Sequence, residues 1–61
     1  MTYYYFKDHK NEWRWLLKAA NGRLIASSGE AYREEHECLY DIELVKASAS
    51  SMVKQTMTAH Q

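Results

Sequence analysis

The sequence predicts an α+β fold, a β-β-β-α-β unit in which an antiparallel sheet packs on one helix. Three observations lead there. Residues 2–7 form a run of Thr, Tyr, Phe and Lys, the β-branched and aromatic composition that suits a pleated, half-buried surface. Asn21-Gly22 separates two apolar-containing runs, which is a strong short-range hairpin signal. From 33 to 49 the composition turns to Glu, Lys, Ala and Leu, with apolar residues recurring at a period near 3.6.

Residues 2–7 are the first strand. Asp8-His9-Lys10-Asn11 is polar and rich in turn formers. The run over 12–20 then alternates with period two, placing Trp13, Trp15, Leu17 and Ala19 on one face of a second strand. Two registers of the first hairpin remain open: a four-residue loop aligns Tyr4 and Phe6 with the tryptophans, and a five-residue loop aligns Tyr3 and Tyr5.

A third strand is expected over 23–28. If the Asn21-Gly22 turn is of the two-residue type I′ kind, Ala19 faces Leu24 and Leu17 faces Ala26 beside the tryptophans, while Lys18 with Ile25 and Leu16 with Ser27 occupy the opposite face. The helix over 33–49 offers Cys38, Ile42, Val45 and Ala49 as its apolar stripe, flanked by Leu39. Glu34 and Glu35 in its first turn and Lys46 near its end suit the macrodipole, although its start has no Ser, Thr, Asp or Asn cap. Ser48 to Ser51 is the helix exit, and 52–58 is expected as a last short strand before a frayed end.

Composition narrows the function classes. The 61 residues accommodate one domain, and 46% apolar content with two Gly and no Pro describes a folding chain. A core this small is marginal for a lone copy, so a disulfide, a metal or a partner subunit is expected to supplement it. Cys38 is the only cysteine, which rules out an internal disulfide and favours a reducing, cytoplasmic setting. No secretory leader is expected, and no apolar run approaches the roughly 20 residues of a membrane span. Eight basic and eight acidic residues, interspersed, lack the positive footprint of a nucleic-acid binder.

The run Trp15-Leu16-Leu17-Lys18-Ala19-Ala20-Asn21-Gly22-Arg23-Leu24-Ile25-Ala26-Ser27-Ser28, followed by Tyr32 and Asp41-Ile42-Glu43-Leu44-Val45-Lys46, resembles the YegP-like family, a domain of unknown function (family 1508). The family carries an aromatic-x-Leu-Lys-Ala-x-Asn-Gly-x-x-Ile-x-x-Ser core, a Tyr soon after, and a Gly-Ile-Glu-Ser-Val helix signature. This chain departs from it with Tyr40-Asp41 in place of Asn-Gly, Leu44 in place of Ser, and Arg33-Glu34 in place of a Ser-rich helix start. The resemblance implies β(3)-α-β units joined into one continuous sheet, with C-terminal strands exchanged between two copies. Carried over, it implies a homodimer in which 52–58, including Met52, Val53 and Thr56, crosses to the partner.

Sites of chemistry are sparse. His9, His36, His60 and Cys38 are the soft ligands, and His36 and Cys38 point roughly 200° apart on a helix. No metal or other cofactor is expected. Cys38 lies on the apolar stripe and reads as a small core residue rather than a reactive thiol. Ser27, Ser28, His36 and Asp41 supply triad residue types without a nucleophile-elbow pattern, so no enzyme is expected. Arg14, Lys18 and Arg23 are the candidate ligand face, where the outer sheet surface would meet single-stranded nucleic acid or an anion, against the plainer reading of a solvated face. Tyr40 and Leu44, four apart on the helix, are the candidate interaction pair for an unidentified protein partner.

Overall fold

The computed structural model describes residues 1–56. Strands β1 (Thr2–Lys7), β2 (Trp13–Lys18) and β3 (Leu24–Ser27) form an antiparallel sheet in the order β1-β2-β3, and helix α1 (Glu35–Ala47) packs on one face of it. The α+β assignment with three antiparallel strands and one helix therefore holds. No helix among the described residues is long and apolar enough to cross a membrane.

The β1–β2 loop takes the five-residue form, because Lys7 pairs with Trp13, Tyr5 with Trp15 and Tyr3 with Leu17. Asp8 organises it. Its Oδ1 accepts the N–H groups of Lys10 and Glu12 at 2.9 and 3.0 Å, and its backbone carbonyl accepts Asn11 N–H at 3.0 Å. Asn11 sits at φ 63°, a conformation that Asn tolerates better than most residues. Tyr3 and Tyr5 thereby join the tryptophans beneath the helix, with Tyr3 edge-on to Trp15 at 5.7 Å.

The β2–β3 turn corrects the two-residue expectation. Gly22 N–H donates to Ala19 C=O and Ala19 N–H donates to Arg23 C=O, both at 2.9 Å, with Gly22 at φ 87° and Asn21 not at positive φ. This is a longer turn closed by a left-handed glycine, the arrangement that brings a bulge with it. The register shifts between Leu17 and Lys18, so Lys18 pairs with Leu24 instead of Ile25. Leu24, expected beside the tryptophans, is instead 53% exposed.

The helix begins later than 33. Trp13 and Tyr32 exchange backbone hydrogen bonds of 2.7 and 2.9 Å, which hold Tyr32 extended beside β2 and leave 33 and 34 to turn the chain. Glu34 is the N-cap, in extended conformation, and Glu37 reaches back so that its Oε1 accepts Glu34 N–H at 3.3 Å. A reciprocal capping box thus serves a helix start that has no Ser, Thr, Asp or Asn cap. At the other end Ser48 terminates the helix, its hydroxyl donating to Val45 C=O at 2.6 Å, and Ala49 lies in the turn beyond.

The buried core is Trp15, Tyr32, Cys38 and Ile42, with Tyr3, Trp13, Leu17 and Ala26 packed against it. Only the first part of the expected helix stripe is covered, since Leu39 and Val45 are each 37% exposed. The helix α1 lies over β1 and β2, and from β3 Ala26 packs against the core cluster. Residues 52–56 of the expected last strand adopt no regular structure, and its remaining residues, 57 and 58, lie outside the described ones.

Candidate functional site

Alternation along the strands sends Trp13, Trp15 and Leu17 toward the helix, so Tyr4, Phe6, Arg14, Leu16 and Lys18 share the outer sheet face. Arg14 and Lys18 sit about 13 Å apart along β2, on that same face. Arg23 belongs to the β2–β3 turn, where its N–H donates to Asn21 Oδ1 at 3.0 Å. Lys18 Nζ lies 6.0 Å from the ring centre of Tyr4, which is 51% exposed. Arg14 is already engaged, its Nε donating to Asp8 Oδ2 at 2.7 Å. The candidate ligand face is therefore two basic residues in line and a third in a turn, with one guanidinium neutralised.

That ion pair has a pH signature. The hydrogen bond from Arg14, and then that from Glu12 N–H, hold the Asp8 carboxyl down at about 2, against an ordinary 3.8. A carboxylate depressed on folding stabilises the native state above its ordinary value, and that contribution fades as pH falls toward about 2. We expect Asp8→Asn to lower stability at neutral pH and to flatten the acid limb of a stability–pH curve between about pH 4 and 2. An acid limb unchanged by the substitution would assign the acid sensitivity to other carboxylates.

The residues weighed for catalysis are occupied by structure. Ser28 is buried, and its Oγ accepts Trp15 N–H at 3.3 Å where regular strand pairing ends. Asp41 Oδ2 accepts the hydroxyl proton of Tyr32 at 2.9 Å, so the side chain standing at the family's glycine position ties the helix to the segment before it. Burial pushes the Cys38 thiol up, and the charges of Asp41 and Glu35 add to this, which leaves it protonated and unreactive near neutrality. His36 is exposed while Cys38 is wholly buried, and no three His, Cys, Asp or Glu side chains gather around a common point among the described residues. His60 lies outside the described residues.

Two apolar groupings face water in the single chain. Tyr40 and Leu44, on the helix side away from the sheet, are 64% and 51% exposed. The second is looser: Ile25, Leu39 and Val45 are partly exposed, and Met52 and Val53, beyond the helix end, are 78% and 95% exposed. Periodicity placed the first grouping. The second escaped it, because a stripe on a helix does not reveal how much of the sheet the helix covers.

Residues 8–53 match the sequence profile described as Domain of unknown function (DUF1508). A UPF0339 protein of Neisseria meningitidis serogroup B is 41% identical over 56 residues, spanning 90% of this chain and 98% of the relative. A UPF0339 protein of Treponema denticola is 48% identical over 44 residues, spanning 72% of this chain and 74% of the relative. The NMR solution structure of a protein from Haloferax volcanii superposes with a TM-score of 0.79 at 31% identity, covering 90% of this chain and 92% of that one.

Proposed function

This chain belongs to the DUF1508 family, and from that membership and the placement of its helix we propose that it works as a homodimeric structural or protein-interaction module. The observation that carries the reading is the position of α1 over β1 and β2, away from the β3 edge of the sheet, together with the exposed apolar side chains of the single chain. A protein of this size gains little by leaving Ile25, Leu39, Val45, Met52 and Val53 in water. In the proposed dimer residues 52–58, with Met52, Val53 and Thr56, pair with the partner's sheet and extend it. Edge strands are thereby paired rather than left as open hydrogen-bonding templates. A cytoplasmic setting and a non-catalytic role accompany this reading.

Light scattering over a dilution series tests it. A mass near twice the 7.2 kDa of one chain, retained to low micromolar concentration, is the expected outcome. A folded species of single-chain mass at about 100 μM, ten or more times above any Kd suited to an obligate dimer, would remove the proposal.

Binding of single-stranded nucleic acid or an anion through Arg14, Lys18 and Arg23 ranks second. Exposed Tyr4 beside Lys18 favours it, and the engagement of Arg14 by Asp8 counts against it. Affinity for an oligothymidylate that falls steeply with salt would reverse that ranking.

A further inference from the structure

We propose that the cleft between residues 30–33 and the first two turns of α1 is a binding site for an aliphatic ammonium group, held by Tyr40 and the carboxylates of Asp41, Glu37 and Glu30. This inference stands apart from the dimer reading, since the cleft is built within one chain. Its volume of 630 Å³ falls inside the range of about 300–1,000 Å³ common for small-ligand sites.

Both walls are fixed. Tyr32 is locked to β2 by its backbone exchange with Trp13, which sets the path of 30–33. On the helix, His36 and Tyr40 form one i,i+4 row and Glu37 and Asp41 another, so the four side chains rise on one side of α1. The floor is Tyr32, only 8% exposed, whose hydroxyl donates to Asp41 Oδ2. That bond orients the Asp41 carboxylate and leaves further lone pairs to accept from a ligand. Burial does most to raise the pKa of Tyr32; the nearby Trp15 indole opposes this without completing a hydrogen bond of its own, and the hydrogen bond and charge of Asp41 and the charge of Glu30 reinforce it. Two carboxylates therefore bear on the cleft floor.

Charge and surface select the ligand class. The lining holds three carboxylates against the single guanidinium of Arg33, and Arg33 forms no ion pair among the described residues. An anion is disfavoured. Tyr40 is 64% exposed and makes no hydrogen bond or ring contact among the described residues, so its ring face is free to cover a cation beside the acids. A bare metal ion is poorly served, because no three ligating side chains converge among the described residues. An ammonium on an alkyl chain fits better: its charge meets Asp41 and Glu37, and its methylenes lie along Tyr40 and Ala31.

Spermidine is the probe, titrated into the 61-residue chain at constant ionic strength and followed by amide and tyrosine-ring NMR shifts, with magnesium chloride at matched ionic strength as the comparison. Saturable shifts confined to residues 30–41 are expected. Asp41→Asn keeps an acceptor for the Tyr32 hydroxyl and Tyr40→Ala removes only exposed surface, so each should preserve the fold and weaken binding about tenfold or more. Glu43→Gln, outside the cleft, should bind as the parent does. Shifts that spread over all acidic residues, that magnesium reproduces, or that survive Asp41→Asn would overturn the assignment.

Discussion

A Trp15→Ala chain is expected to be unfolded, or nearly so, in buffer at 25 °C. Trp15 is 6% exposed, meets Tyr3 edge-on, and stands in a core whose other buried apolar members, among the described residues, are Tyr32, Cys38 and Ile42. Truncating a buried tryptophan costs about 3–5 kcal/mol. Domains hold only about 0.05–0.15 kcal/mol of stability per residue, which for this length amounts to a similar quantity. The loss and the reserve are thus of one size. Trp15→Phe keeps much of the ring and removes an indole N–H that has no hydrogen-bond partner, so it should cost far less, and the contrast separates lost packing from lost polar contact. Urea unfolding followed by circular dichroism measures both. A cooperative transition for Trp15→Ala with a midpoint close to the parent's would mean that the four-residue cluster is not the centre of stability.

Removing residues 52–61 is expected to have the second large effect, converting the protein to unfolded or aggregated chain. The argument rests on the proposed dimer: if those residues complete the partner's sheet, deletion bares β-strand edges and exposed apolar side chains of both chains together. Residues 52–56 lend little to their own chain's core, where Met52 and Val53 are almost wholly in water. Size-exclusion chromatography with light scattering, beside an amide spectrum, reads the outcome. A well-dispersed, monomeric truncated protein would show that the single chain is self-sufficient and would end the strand-exchange reading.

The two turns mark where legibility in the sequence stopped. Composition announced both hairpins, yet one side-chain hydrogen-bond centre, Asp8, selected the five-residue loop and with it the face of Tyr3 and Tyr5. A pair such as Asn-Gly signals a reversal; whether the turn has two residues or a longer bulged form depends on how the strands twist onto each other. That choice moved Leu24 out of the core. The helix cap was unreadable for a similar reason. Glu34 and Glu37 look like ordinary first-turn acids until the Trp13–Tyr32 bridge fixes where the chain can enter the helix.

By itself the sequence determined the types and order of the three strands and the helix, the single tryptophan-lined face and the exposure of Tyr40 and Leu44, though not a last strand over 52–56, because hydrophobic period and residue shape are local properties. Only the tertiary structure decided which basic residue of the sheet face was already paired, that Tyr32 and Asp41 would frame a cleft, and that the helix would lie over β1 and β2. Those outcomes depend on distances between residues far apart along the chain, which no periodicity encodes and which close packing sets together.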